Sequence, residues 1–271
     1  MSISYESLVL ACDIDDTLVP IHDRPGEERE AGLVALSALV SSVETMRSDF
    51  GSVYFGSVTG RSLASHQEYE AQVPVFGSAA RAMDFKVTSV GSESYIRTPD
   101  GFRRVASWPA AASWESYQVR RVLSDVPGLI VQPDIAQGDY KVSFTVDEQA
   151  GQEHAATVAR VGACLAGSGL AANVILSSVY LDILPLGVDK GTGLYHTLGE
   201  MALQRPFIIA AGDSMNDVQL LEAADLAILP RNAHPRLRDW AERTIHPQKL
   251  FLATLPFAAG IHEGLERLLN T

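Results

Sequence analysis

The sequence predicts an α/β protein: a core with a parallel sheet, interrupted by a smaller inserted α/β module. Predominantly apolar runs at 7–12 and 52–58 alternate with a stretch of helical periodicity, and each run ends abruptly in a polar cluster. Strands buried on both faces between layers of helices have this pattern. The texture changes at about residue 83 to polar, alternating segments, and near residue 186 the first rhythm returns. The core is therefore expected to be discontinuous, residues 1–82 and 186–271, with 83–185 inserted.

The elements follow in order. SLVLAC at 7–12 is the first strand, and the stripe Leu33, Leu36, Leu39, Val40 and Val43 predicts a helix over 26–47. A second strand is expected at 52–58 and a third in the apolar run 73–76. Inside the insert, helices are expected at 113–124 and 150–166. DYKVSFTV at 139–146 alternates as a strand does, and two more strands follow at 173–177 and 180–184. A helix then starts near Asp189, a strand covers 207–211, a helix ends over 221–224, a strand covers 226–229, and a helix closes the chain around 258–269. Residues 161–181 carry no charge, which raises a membrane span. Gly167-Ser168-Gly169 divides that stretch into the end of a helix and a β-branched strand, so no span is expected.

Composition narrows the function. With 271 residues, 46% of them hydrophobic, the chain can bury a core without a disulfide or metal staple. A net charge of -12 argues against nonspecific binding to nucleic acid or to an acidic membrane, yet leaves a local pocket free to take a small anion. Cys12 and Cys164 lack metal-ligand spacing and read as two buried thiols of a reduced, cytoplasmic protein. MSISYESLVLACD has no basic region ahead of an apolar one and is not expected to be a signal peptide. The histidines form no HExxH, GSVTGR lacks the GK[ST] of a P-loop, and no GxGxxG follows the first strand. Trp108, Trp114 and Trp240 are not interleaved with basic residues, as a nucleic-acid surface would require. Nothing in the sequence speaks to oligomeric state.

The strand ends carry the chemistry. In an open parallel sheet, ligands bind beyond the C-terminal ends of the strands. Asp13 and Asp15 follow the first strand, Thr59-Gly60-Arg61 the second, and Asp213 with Asn216 and Asp217 the strand at 207–211; Lys190 begins a helix. Carboxylates, a lysine, a hydroxyl and exposed backbone donors are what a divalent metal with a phosphate requires. Any one of these could be an ordinary turn or helix cap. Together, at successive strand ends, they point to phosphoryl chemistry.

DIDDT at 13–17, TGRS at 59–62, DKGTG at 189–193 and GDSMND at 212–217 resemble the four motifs of the haloacid-dehalogenase-like phosphatases, and the resemblance covers nearly the whole chain. It implies a HAD-like Rossmannoid core with an inserted α/β cap of the large kind (type C2B) found in the Cof-like branch. Within that branch, three segments resemble the sucrose-phosphate and mannosylfructose-phosphate phosphatases: Gln132-Pro133-Asp134 through Gln137 to Lys141-Val142-Ser143-Phe144, then Leu181-Asp182-Ile183-Leu184-Pro185, then Asn232-Ala233-His234-Pro235. Gly77-Ser78 is a weaker fourth match.

The resemblance implies a magnesium-dependent phosphatase acting on a small phosphorylated sugar. Asp13 would be the nucleophile, Asp15 the acid and base, and Lys190 a catalytic and phosphate-binding cation. Thr59, Gly60, Arg61 and Asn216 would bind phosphate, and Asp13, Asp15 (through its carbonyl), Asp213 and Asp217 would form the metal site. In the cap, Gln132, Asp134, Gln137, Lys141 and Ser143 would read the sugar. Lysine is rare in this chain, and alternation puts Lys141, Ser143 and Thr145 on one face, expected to look across a cleft at the core. Asp16 stands where the family often has Asn, and Met215 where the sucrose-phosphate group often has a small residue. Two alternatives stay open: a phosphosugar mutase of the same superfamily, and a catalytically silent sugar-phosphate binding protein.

Overall fold

The structure, a computed structural model, describes residues 6–105, 114–147, 154–177 and 179–269. The chain begins with β1 (Leu8–Cys12), α1 (Gly26–Phe50), β2 (Val53–Val58), α2 (Leu63–Gln72), α3 (Pro74–Ala82), β3 (Phe85–Thr88), β4 (Glu93–Thr98) and β5 (Gly101–Arg104). A second group follows: α4 (Ser116–Leu123), β6 (Leu129–Val131), β7 (Val142–Val146), α5 (His154–Gly167), β8 (Ala172–Ser177) and β9 (Tyr180–Pro185). The chain ends with α6 (Lys190–Glu200), β10 (Phe207–Ala211), α7 (Val218–Glu222), β11 (Leu226–Leu229), α8 (Pro235–Thr244), β12 (Leu250–Leu252) and α9 (Phe257–Leu269).

The strands form an eight-stranded sheet, β12-β11-β10-β1-β2-β3-β4-β5, and a four-stranded sheet, β6-β7-β9-β8. In the larger sheet β1 lies parallel between β10 and β2, with Cys12 opposite both Ala211 and Ser57. That register brings the residues after Cys12, Val58 and Ala211 out at one edge, side by side. The central strands read as continuous apolar runs because both faces are covered. Leu10, Cys12, Phe55 and Ile209 pack with Leu36, Leu39 and Val43 of α1 and with Ile261 and Leu265 of α9. Val9, Ala11, Val58 and Ile208 pack on the other side with Leu194 and Leu198 of α6 and Leu220 of α7. The smaller sheet is antiparallel. Its core joins Val142, Phe144 and Val146 to Val119 and Leu123 of α4 and to Val161 and Leu165 of α5.

Three expectations are corrected. The run 73–76 is not a strand: Pro74 opens α3, and Phe76, Ala79 and Ala80 form its buried face. A four-residue apolar run fits either state, and Pro at the first helical position decides for helix. The core also does not stop at residue 82. β3 continues the large sheet parallel to β2, and β4 and β5 extend it antiparallel. Polar alternation after residue 83 thus marks a sheet edge with one wet face, not a new unit. The strand expected from residue 139 starts at Val142, since Gly138 and Lys141 first close a turn as an isolated bridge. Residue 113 of the expected helix 113–124, residues 150–153 of the helix 150–166, and Trp108 lie outside the described residues. Among the described residues no helix is long and apolar enough to cross a membrane; the uncharged stretch 161–181 is shared between α5, β8 and β9.

Candidate active site

Asp13 leaves β1 with its N–H donated to the Ala211 carbonyl, 2.9 Å away. The chain then turns tightly: the N–H groups of Thr17, Leu18 and Val19 all donate to the Ile14 carbonyl. Asp16 takes the left-handed conformation at φ 55, which a short polar residue that bonds locally tolerates. Its carboxylate accepts from the Ile21 N–H at 3.0 Å and from Arg24 at 3.2 and 2.7 Å. Asn232 donates to the Asp16 carbonyl at 2.7 Å and accepts from the Phe257 N–H at 2.8 Å. Asp16 and Asn232, to which the sequence assigned no role, therefore brace the loop that carries Asp13 and Asp15.

Three carboxylates meet at the sheet edge. Asp13, Asp213 and Asp217 are buried and place one oxygen each within 4.8 Å of one another. Lys190, at 0% exposure, reaches Asp13 at 2.9 Å and Asp217 at 2.6 Å. The helix bearing Lys190 is fixed by a capping box between Asp189 and Thr192. Gly91, at φ 95, lets the preceding turn close on it, since a Cβ there would lie 1.9 Å from the Asp189 carbonyl oxygen. Asp217 also accepts from the N–H groups of Asp213 and Ser214, each at 3.0 Å. It packs flat on Gly212, where a Cβ would sit 2.4 Å from its own. Thr17 donates to Asp213 at 3.0 Å.

The electrostatics need a cation. The Asp13 carboxyl is held at about 7: burial raises it most, Lys190 pulls against that rise, and Asp217 and Asp15 add to it. Asp213 is raised well above the usual carboxylate range, first by burial and then by Asp217 and Asp13. Burial opposes the charge on Lys190, but Asp13 and Asp217 overcome it and hold the ammonium protonated. One lysine among three buried carboxylates leaves an excess of negative charge, and hard oxygen donors at this spacing suit magnesium. The donor set fits that ion.

The phosphate-side residues gather beside Asp13. Thr59 is buried, its N–H spent on Val87 at 2.8 Å and its hydroxyl accepting from the Arg61 N–H at 3.2 Å. Asn216 lines the same space: its Oδ1 accepts from Ser214 at 2.8 Å, and its Nδ2 would lie 3.8 Å from a Cβ on Gly60. The Asp15 carboxylate does not join the acidic cluster. It is held by Arg61 through two hydrogen bonds of 2.8 and 2.7 Å, and the guanidinium lies 4.2 Å from the centre of the Tyr69 ring. Arg61 is thus engaged with the expected acid and base rather than standing free for phosphate.

Lys141 crosses from the smaller sheet to the larger. It is buried, donates to the Gly60 carbonyl at 2.8 Å, and lies 3.6 Å from Asp182. Ser143 is buried too and donates to Asp182. Gln132 donates to the Ser143 hydroxyl at 3.0 Å, and Gln137 accepts from the Ser143 N–H at 2.9 Å. Asp134 is exposed at the start of a 3-10 turn whose Ile135 carbonyl accepts from Ser62 at 2.5 Å. The face expected to look across an open cleft therefore already touches the core. Asp182 and Ser62 were not foreseen. Asp182 lay in plain view in the LDILP segment, but its pairing with Ser143 needs the register of β7 and β9.

Over residues 6–268 the chain matches the model of sucrose-6F-phosphate phosphohydrolase. The chain belongs to that family. A probable sucrose-phosphatase of Arabidopsis thaliana is 30% identical over 269 residues, 96% of this chain and 59% of the relative. A mannosylfructose-phosphate phosphatase of Agrobacterium fabrum is 23% identical over 184 residues, 67% of this chain and 71% of the relative. The solved sucrose-phosphatase of Synechocystis, in complex with sucrose and phosphate, superposes with a TM-score of 0.75 at 25% identity, covering 96% of this chain and 97% of that one. A haloalkanoate-superfamily phosphatase of Bacteroides thetaiotaomicron shares the fold at a TM-score of 0.62 and 18% identity, over 98% and 97% of the two chains. The sucrose-6F-phosphate phosphohydrolase fold here is thus the haloacid-dehalogenase-like one, a Rossmannoid core with an inserted cap. The chain spans 59% of the length of the plant sucrose-phosphatases it matches.

Proposed function

We propose that this chain is a magnesium-dependent phosphatase that hydrolyses a small phosphorylated sugar through an aspartyl-phosphate on Asp13. One observation carries the reading. A buried carboxylate at the end of β1 faces both a lysine and two further carboxylates, so a divalent metal is what offsets their shared negative charge and lets an anionic phosphate approach. Magnesium held by Asp13, Asp213, Asp217 and the Asp15 carbonyl would supply charge neutralisation for the transferring phosphoryl group.

The chain's own residues do the rest. An Asp13 oxygen bonds to phosphorus as the bond from phosphorus to the sugar oxygen breaks, and Asp15 gives that oxygen a proton. Asp15 then takes a proton from a water that attacks the aspartyl-phosphate, releasing phosphate and restoring Asp13. Lys190, Thr59, Gly60 and Asn216 hold the phosphate oxygens, and Arg61 keeps the Asp15 carboxylate aimed. The segment from about residue 106 to 185 acts as the cap. Lys141 ties it to the Gly60 carbonyl, and Asp182 links Lys141 to Ser143, which Gln132 and Gln137 hold in turn. Closure excludes water from the reacting groups. A reduced cytoplasmic setting is part of the same reading and is supported by the two unpaired cysteines.

The test is phosphate release across a panel of sugar monophosphates, including sucrose 6F-phosphate and mannosylfructose 6-phosphate, with magnesium and with chelator. Magnesium-dependent release is expected. Transfer of phosphate to a second sugar position without release would make the protein a mutase, and binding without turnover would make it a silent receptor.

A further inference from the structure

A second polar cluster lies away from the reacting groups, on the side of the large sheet covered by α2 and α3. Paired residues on neighbouring strands share a face, as do residues two apart on one strand. Ser57 pairs with Lys86, Lys86 with Tyr95, and Arg97 with Phe102, so β2 to β5 present these side chains together. Glu70 of α2 and Arg81 of α3 face them, and a cleft of about 310 Å³ opens between.

The cleft holds more positive charge than negative. Glu70 is the one carboxylate among its lining residues, and its Oε1 meets both Lys86 and, at 2.6 Å, the Nδ1 of His66. Among the described residues Arg81 and Arg97 bond to neutral groups. Arg81 donates to the Ser78 hydroxyl at 2.7 Å, and Arg97 to the carbonyls of Ala80, Arg81 and Met83 at the end of α3. Both guanidiniums stand at the exposed rim, while Lys86, at 3% exposure, forms the floor. Lys86 and Arg97 also share one ring, Nζ lying 4.3 Å and Cζ 4.5 Å from the centre of Phe102. Burial lowers the Lys86 pKa, Glu70 works against that, and Arg97 lowers it further. In a chain of net charge -12, two guanidiniums without counter-charge beside a buried lysine make a local pocket for an anion.

The floor of the cleft reaches the phosphate side through hydrogen bonds. Glu70 holds His66, and the Nε2 of His66 lies 3.1 Å from the Ser57 hydroxyl. His66 and Ser57 are fully buried, and Ser57 stands two residues before Thr59. Leu63, Gln67 and Glu70 of α2 line the cleft. The same helix is capped by Ser62, which donates to the Ile135 carbonyl, and it follows Arg61 on Asp15. We propose that the cleft is an effector site for a small anion, a carboxylate or a phosphate, felt at the phosphate loop through Glu70, His66 and Ser57. The proposal rests on the sugar-phosphatase reading for the activity that is regulated, not for the binding. An anion seated between Arg81, Arg97 and Lys86 draws the ammonium from Glu70, whose carboxylate then bonds to His66 alone. That change is passed to Ser57 and so to the strand end that bears Thr59.

The probes are inorganic phosphate and succinate, so that the two anion classes are read separately. Calorimetric titration without magnesium keeps phosphate from the reacting groups, where three carboxylates repel it. The wild type is expected to bind at least one probe, and Arg81→Gln and Lys86→Gln to bind it at least about fivefold more weakly. Arg81 is exposed, so its replacement leaves the fold intact. Binding of succinate alone assigns the site to carboxylates, and of phosphate alone to phosphates. With magnesium, the bound anion should change the wild-type KM for a sugar phosphate at least about threefold. Arg81→Gln and Ser57→Ala should lose that change, while any competitive inhibition by phosphate at the reacting groups stays in Arg81→Gln. Failure of both probes to bind, equal binding by the wild type and Arg81→Gln, or a KM that the bound anion leaves unmoved would each overturn the effector site. A change that persists in Ser57→Ala would overturn the route to the loop. A wild type inert toward every sugar phosphate would remove the phosphatase reading, and the titration alone would then decide the cleft.

Discussion

Arg61 grips Asp15 with two arms of its guanidinium, Nε on one carboxylate oxygen at 2.8 Å and Nη2 on the other at 2.7 Å, while its flat face rests on Tyr69. A fork of this kind sets the carboxylate's orientation as well as its position. Arg61→Ala should therefore lower kcat by about ten- to a hundredfold with KM little changed, because proton transfer depends on aim. Arg61→Lys should recover little, since an ammonium cannot span both oxygens. Steady-state kinetics decides: a raised KM with normal kcat would move Arg61 from Asp15 to the phosphate.

Asp13→Asn should abolish turnover by several powers of ten and leave the fold intact. Its neighbours argue for intact folding, because the amide keeps the volume and can still accept from Lys190. The checks are phosphate release and a thermal melt on one preparation. Activity above about a tenth of wild type would sink the nucleophile assignment.

Metal dependence should be tied to pH. Burial holds the Asp13 carboxyl at about 7 in the folded, metal-free protein, against about 3.8 when unfolded. Between those values the folded state keeps a proton that the unfolded state has lost, so metal-free stability falls as pH rises across that window. Magnesium needs the carboxylate, so its stabilisation grows over the same window. Melting temperatures with and without magnesium should lie close together near about pH 5 and separate by about pH 8. A gap independent of pH would place the metal away from Asp13. Asp213→Asn should raise the magnesium requirement or end turnover, and calcium should inhibit, because its looser coordination does not hold the attack geometry.

Lys141 ends on the Gly60 carbonyl, and its removal leaves a buried acceptor and Asp182 without their cation. Lys141→Ala should lower kcat/KM for a sugar phosphate by about tenfold or more, ~1.4 kcal/mol, and affect an aryl phosphate much less. Equal losses would assign Lys141 to the phosphate loop. No loss on either would show that closure does not depend on it.

Asp16→Asn should cost little. Asn also tolerates φ 55 and can accept from the Ile21 N–H, so what is lost is the ion pair with the part-exposed Arg24, about 0.5 kcal/mol. Denaturant unfolding measures it. A loss of several kcal/mol would mean that Arg24 holds the loop rather than decorating it.

Much of the site was legible because reacting groups in such a sheet must follow strand ends. Asp13, Thr59 and Asp213 each stand just after an apolar run, and Lys190 starts a helix marked by Asp189 as its cap. Other parts were hidden for identifiable reasons. Residues 73–76 were too short a run to separate strand from helix, and only Pro74 tips the balance. β4 and β5 looked like a new domain because an antiparallel edge alternates in polarity whichever unit it belongs to.

The sequence by itself determined the architecture class, the strand ends that carry chemistry and the identity of the carboxylates and lysine, because burial periodicity and local turn chemistry are written in neighbouring residues. Which of those groups touch was decided by tertiary structure alone. Arg61 meets Asp15 across 46 positions, Lys141 meets Gly60 across 81, and Thr17 meets Asp213 across 196. Such contacts depend on strand register and on how one sheet lies over another. A one-residue slip of β7 against β9 would turn Asp182 away from Ser143 and Lys141 without changing a letter of the sequence.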